Sequence, residues 1–179
     1  MLQTLLLAAA LFFFTRNVFR FEKISRFELL VIPVYSFVIG GSIILENPPT
    51  MLALFLTILL GGIVGWFQTT GLTIHLTAEK DKRDRPIIEV RRGWQYLVGW
   101  LVIFAYGLGL AFVAGHQVDI LTELSNELMK DLLSWENFTP GAWNIMIQSA
   151  VASLVYTWYL VRREPRVKAA IARKKQVKN

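Results

Sequence analysis

The chain contains no cysteine, which excludes disulfides, thiolate metal sites, CxxC redox pairs and CxxCH haem attachment. Histidine is nearly absent: only His75 and His116 occur. Three or four convergent ligands are the usual need for zinc, so two histidines far apart in the chain supply no metal site. Two long runs, residues 51–67 and 94–115, contain no Asp, Glu, Lys or Arg. No GxSxG, HExxH or phosphate-loop pattern is present, and most of the glycines sit inside apolar runs that no phosphate would reach. The sequence therefore nominates no catalytic residue, no cofactor-binding residue and no metal ligand.

What is there is apolar sequence in blocks. Hydrophobic residues make up 54% of the 179, and their concentration into runs marks an integral membrane protein. At roughly 20 residues per helix, the chain has room for about five spans and none for a separate soluble catalytic domain. The runs place those spans at about 1–15, 28–45, 51–67, 94–115 and 142–161. Positive charge follows the first run, where a secretory signal would carry it before its apolar core, so that run reads as a retained span. The second holds Pro33 and Gly40-Gly41, tolerated inside a bundle, and ends at the stop Asn47-Pro48-Pro49. The third carries Gly61 and Gly65, a GxxxG pair that lets another helix approach closely. It serves either a homodimer face or packing inside the monomer.

Charge placement sets the topology. All nineteen lysines and arginines except Lys130 fall in segments 15–27, 68–93 and 162–179, which alternate to one side of a five-span chain. By the positive-inside rule that side is cytoplasmic, giving an N-outside, C-inside protein. Segment 116–141 carries Leu121, Leu124, Leu128, Leu132 and Trp135 opposite Glu123, Glu127 and Asp131, the spacing of an external amphipathic helix on the membrane surface. Its acidic row could hold a divalent cation through oxygen ligands or form a solvated face.

Segment 69–93 reads as a small cytoplasmic β-hairpin: two β-like runs flank the charged turn of residues 79–85. Lys80, Lys82, Arg83 and Arg85 are the candidate partner-binding residues at its tip. Arg91, Arg92, Arg162 and Arg163 stand beside span ends, where they are candidate lipid-headgroup contacts. Residues 1–163 thus form one transmembrane domain, followed by a basic tail over 164–179 whose only acidic residue is Glu164. Such a tail attracts anionic lipid at about 1 kcal/mol per charge near the surface. It lacks aromatics to stack on bases, which argues against nucleic acid. Pro165 should interrupt the helix, and Glu28 beside Arg26 reads as an interfacial pair.

A basic first loop, a proline-containing second span, a glycine-rich third span, a strand-turn-strand ending in Val90-Arg91-Arg92 and a long fourth span together resemble the CcdC-like family of small bacterial membrane proteins. The likeness covers roughly residues 21–163. It implies a bacterial plasma-membrane protein and supplies no activity to carry over.

The expectation is an all-α integral membrane protein of five transmembrane helices with a cytoplasmic hairpin and an external amphipathic helix. Its expected function is non-enzymatic: an accessory or interaction protein with a membrane or cytoplasmic protein partner. The alternative is a small transporter or lipid-handling protein for a neutral or amphipathic substrate, using Ser42, Gln148, Ser149, Ser153 and Thr157. No ionisable residue lies at mid-depth in any span, as ion-coupled carriers usually require.

Overall fold

The computed structural model describes residues 15–80, 85–113 and 143–171. Its long elements are helical: α1 (Phe27–Glu46), α2 (Met51–Thr69), α3 (Trp94–Val113) and α4 (Trp143–Arg163), with a short α5 (Arg166–Ile171). Three of these, α1, α2 and α4, are long and apolar enough to cross a membrane. The expected first span and external amphipathic helix lie outside the described residues.

Local chemistry explains the helix ends. The first turn of α1, Phe27–Val31, is π-helical and runs straight into the regular helix at Ile32, with Pro33 at its start. Pro33 has no N–H to donate to the Leu29 carbonyl one turn back, and the Thr157 hydroxyl of α4 donates to that carbonyl instead, at 3.2 Å. Pro48 and Pro49 forbid continuation, and Thr50 then caps α2 by accepting a hydrogen bond from Ala53 N at 3.3 Å.

The helices are arranged inside out relative to a protein in water. Phe37, Leu52, Phe55, Leu59, Ile63 and Trp158 face outward, whereas Thr57, Gln68, Asn144, Gln148 and Thr157 are buried. Lipid tails are as apolar as leucine, so nothing drives those leucines inward, and polar side chains seek one another between the helices. This is the arrangement of a membrane protein. Helix α4 is its hub, packing along α2 and α1 and touching α3. Ala150, Ala152 and Leu160 on α4 are almost wholly buried.

One end of the bundle carries a three-stranded antiparallel sheet of β1 (Glu22–Lys23), β2 (Thr73–Lys80) and β3 (Pro86–Arg91), in the order β1-β3-β2. The expected hairpin is β2–β3, with a register irregularity between Leu76 and Lys80. Sequence reading missed β1, because two charged residues carry no strand signal; it exists through pairing of Glu22 with Val90 and Lys23 with Glu89. Residues directly opposite across strands share a face. Ile88 and Val90 therefore point inward, and Lys23, Glu89 and His75 share the outer side.

The inner face of the sheet caps the bundle. Ile88, Val90 and Leu72 form one buried cluster with Leu29 of α1, Tyr156 and Leu160 of α4 and Val167 of α5. Each such aliphatic side chain contributes about 1.5–3 kcal/mol when fully buried, so the sheet is firmly docked. The tail folds back to complete it: Pro165 breaks the helix as the sequence predicts, and α5 then packs on β3 with Val167 wholly buried.

Candidate functional site

Four chain segments meet where the sheet joins the bundle. Glu28 lies in the first turn of α1, Arg92 follows β3, Tyr96 opens α3, and Tyr156 sits near the sheet end of α4. Arg92 and Glu28 form an ion pair through Nη2 and Oε1. The expected partner of Glu28 was its neighbour Arg26, which is instead exposed. Neighbours in a helical stretch point in different directions, whereas the turn after β3 aims Arg92 at the start of α1.

That turn is held by backbone geometry. Arg92 N and Gly93 N both donate to the carbonyl of Val18, at 3.2 and 3.3 Å. Gly93 has φ of 74°, a left-handed conformation that glycine adopts without steric cost. The chain thereby leaves the sheet and enters α3 with Arg92 turned inward.

The guanidinium lies over the Tyr96 ring, 4.8 Å from its centroid, and Tyr96 meets Tyr156 edge-on at 6.2 Å. The Tyr156 hydroxyl sits beside the Arg92 guanidinium. Burial by itself would lower the Arg92 pKa, but Tyr96, Tyr156 and the Glu22 carboxylate outweigh it and hold the value above the ordinary one. Arg92 is a permanent cation here.

A cavity of about 40 Å³ opens beside the pair. Its polar walls are Glu28, Gln68, Arg92, Tyr96, Ser153 and Tyr156, with Thr157 alongside. Two of these walls are already committed: Thr157 donates to the carbonyl of Leu29 at 3.2 Å, and Gln68 Nε2 donates to that of Tyr96 at 3.3 Å. Two are not: the Tyr156 hydroxyl and Arg92 Nε are buried without a hydrogen-bond acceptor among the described residues. A buried water needs about 10–15 Å³ of such space, so this cavity admits a small polar group.

The residues nominated from sequence are distributed differently. Arg92 points into the junction with its side chain 14% exposed, so it faces Glu28 and not a headgroup at the surface. Arg91 faces outward, 5.3 Å from the Phe21 ring centroid. Arg162 lies over Trp158 at 5.3 Å, and Arg163 donates to the Leu72 carbonyl at 3.4 Å. Of the tip residues, Lys82 and Arg83 lie outside the described residues; Lys80 ends β2, and Arg85 precedes β3. His75 lies on the outer sheet face, 3.7 Å from Glu89 and with its ring 5.7 Å from that of Phe21, and His116 lies outside the described residues.

Gly61 and Gly65 face α4 of the same chain. A β-carbon at Gly65 would lie 2.6 Å from Ala152 O, and one at Gly61 would lie 3.0 Å from Gln148 O. The helices touch backbone to backbone there, so α4 already covers that face. Of the candidate polar pathway, Gln148 and Thr157 are buried, Ser153 reaches the cavity, and Ser42 is exposed with its hydroxyl on Ile39 O. The row of Glu123, Glu127 and Asp131 lies outside the described residues.

Sequence reading did not find the Glu28–Arg92–Tyr96–Tyr156 cluster. The available signal was an ionisable residue at a span boundary, which has to be paired; distance along the chain could not say with what. Comparison with family models, curated proteins and solved structures returns no match.

Proposed function

We propose that the chain is a non-enzymatic accessory protein of the bacterial plasma membrane, holding a small cytoplasmic sheet against the bilayer for a protein partner. In this reading it has five spans, N-outside and C-inside, and resembles the CcdC-like proteins. One observation carries it. The basic segments that are far apart in sequence converge at one end of the bundle, where β1, β2–β3 and α5 fold together. That convergence supports the charge-based topology. It also presents the outer sheet face, with Lys23, His75 and Glu89, away from the bundle. Exposed Arg91, Arg162, Arg166 and Lys168 flank this platform and would hold it to anionic lipid.

The test is purification of the full-length protein in native lipid discs with mass spectrometry of co-purifying material. The expected result is a stoichiometric protein that is lost when Lys80, Lys82 and Arg83 are together changed to Glu. Unchanged recovery of that protein would overturn the reading.

A second reading, a carrier of a neutral or amphipathic substrate, is favoured by the buried polar line of α4, Asn144, Gln148 and Thr157. The Gln148 amide has no hydrogen-bond partner among the described residues. Here Gln148→Ala or Ser153→Ala should reduce uptake into vesicles.

A further inference from the structure

The cavity beside Arg92 has a definite chemistry that neither a partner platform nor a polar pathway requires. Tyr156 is 5% exposed, and both its hydroxyl and Arg92 Nε are buried donors that no group among the described residues accepts. Both residues line the cavity. Leaving such donors unmet is costly in a buried site, so the cavity is built for something that accepts hydrogen bonds. Arg92 is already neutralised by Glu28. An incoming anion would meet the Glu28 carboxylate at close range and lose to repulsion much of what it gained from Arg92. A neutral group that accepts from Arg92 and Tyr156 and donates to Glu28 suffers no such loss. A hydroxyl fits that description, and 40 Å³ accommodates a hydroxyl with its carbon, a single water needing about 10–15 Å³ of such space.

The depth of the site says what carries the hydroxyl. Glu28 is in the first turn of α1, Gln68 in the last turn of α2 and Tyr96 in the first turn of α3, so the cavity lies at headgroup level. Phe27, Leu30 and Val34 next to Glu28 are exposed on α1, an apolar strip against which an acyl chain can lie. We infer that the Arg92–Tyr156 cavity is a binding site for the hydroxyl of a lipid headgroup, selecting hydroxylated headgroups over others of equal charge.

The experiment uses the full-length protein in micelles with phosphatidylglycerol or phosphatidylserine added at equal concentration, retained lipid being counted by native mass spectrometry. Both lipids carry one net negative charge, so surface arginines attract them alike. The expected result is preferential retention of phosphatidylglycerol, reduced about fivefold to tenfold by Tyr156→Phe, which removes one hydrogen bond and keeps the ring. Arg162→Gln should lower retention of both lipids without changing their ratio. Equal retention of the two lipids, which is what a cavity holding only water predicts, would overturn the inference. So would an unchanged ratio in a folded Tyr156→Phe protein. Neither result touches the partner reading, which is scored on protein recovery.

Discussion

Glu28 and Arg92 are joined by an ion pair that ties the start of α1 to the exit of β3. The sheet is thus fastened to the bundle by charge on one side and by the Ile88–Val90–Leu160–Val167 cluster on the other. The pair is partly wet, with the Glu28 side chain 31% exposed, so it is worth less than a fully buried one. Arg92→Met should cost about 1–3 kcal/mol. Unfolding in mixed micelles of Glu28→Gln, Arg92→Met and the double variant measures the coupling. Strictly additive effects would show that the pair does not hold the junction.

The contact of α2 with α4 makes a graded prediction at three glycines. Gly65→Ala pushes a methyl group onto Ala152 O, Gly61→Ala presses less closely on Gln148, and a β-carbon at Gly62 meets nothing within 4 Å. The expected order of destabilisation is Gly65 over Gly61 over Gly62, with the first costing about 1–3 kcal/mol, as overpacking does. A Gly62→Ala variant as unstable as Gly65→Ala would contradict the helix pairing.

Deleting α5 should loosen the sheet. Val167 is wholly buried among Ile88, Val90 and Leu160, and Val167→Ala should cost about 1–2 kcal/mol at roughly 0.8 kcal/mol per methyl-sized group. Hydrogen exchange on β3 amides is the readout, since a free-floating tail would leave it unmoved.

Glu164 gives α5 an acid-sensitive start. Its carboxylate accepts from the backbone N–H of Arg166 at 3.2 Å and from Arg166 Nε at 3.0 Å. Those backbone and side-chain hydrogen bonds hold its pKa below the ordinary glutamate value. The folded value being depressed, the stabilisation is present above the unfolded pKa and fades as pH falls through the folded one. An NMR titration should place the Glu164 midpoint below that of an unstructured glutamate, and Arg166→Ala should raise it towards that value.

The absence of cysteine makes topology directly measurable, because any introduced cysteine is the sole reporter. Asn47→Cys, in the turn between α1 and α2, should react with impermeant reagent from outside the cell. Leu76→Cys on β2 should react only after the membrane is opened. The reverse pattern would invert the proposed orientation.

What was legible in the sequence was local. Uninterrupted apolar runs, the Pro48-Pro49-Thr50 break, the β-like runs on either side of residues 79–85 and the stop at Pro165 each act through neighbouring residues, so α1 to α4 and the β2–β3 pair could be read directly. Their ends agree closely with the runs: α2 begins at Met51 and α3 at Trp94, as expected. The site was a different matter. Whether Glu28 pairs with Arg26 or Arg92, whether Glu22 and Lys23 make a strand, whether Val167 is tail or core, and which helix covers Gly65 all depend on segments distant in the chain. Each outcome was settled by the packing of the sheet on the bundle end, which places Arg92 over Glu28, lends β1 an edge to pair with and gives Val167 an apolar surface to bury. Composition and periodicity determine which residues seek lipid and which seek a strand partner; only the folded chain decides whom each charged residue meets.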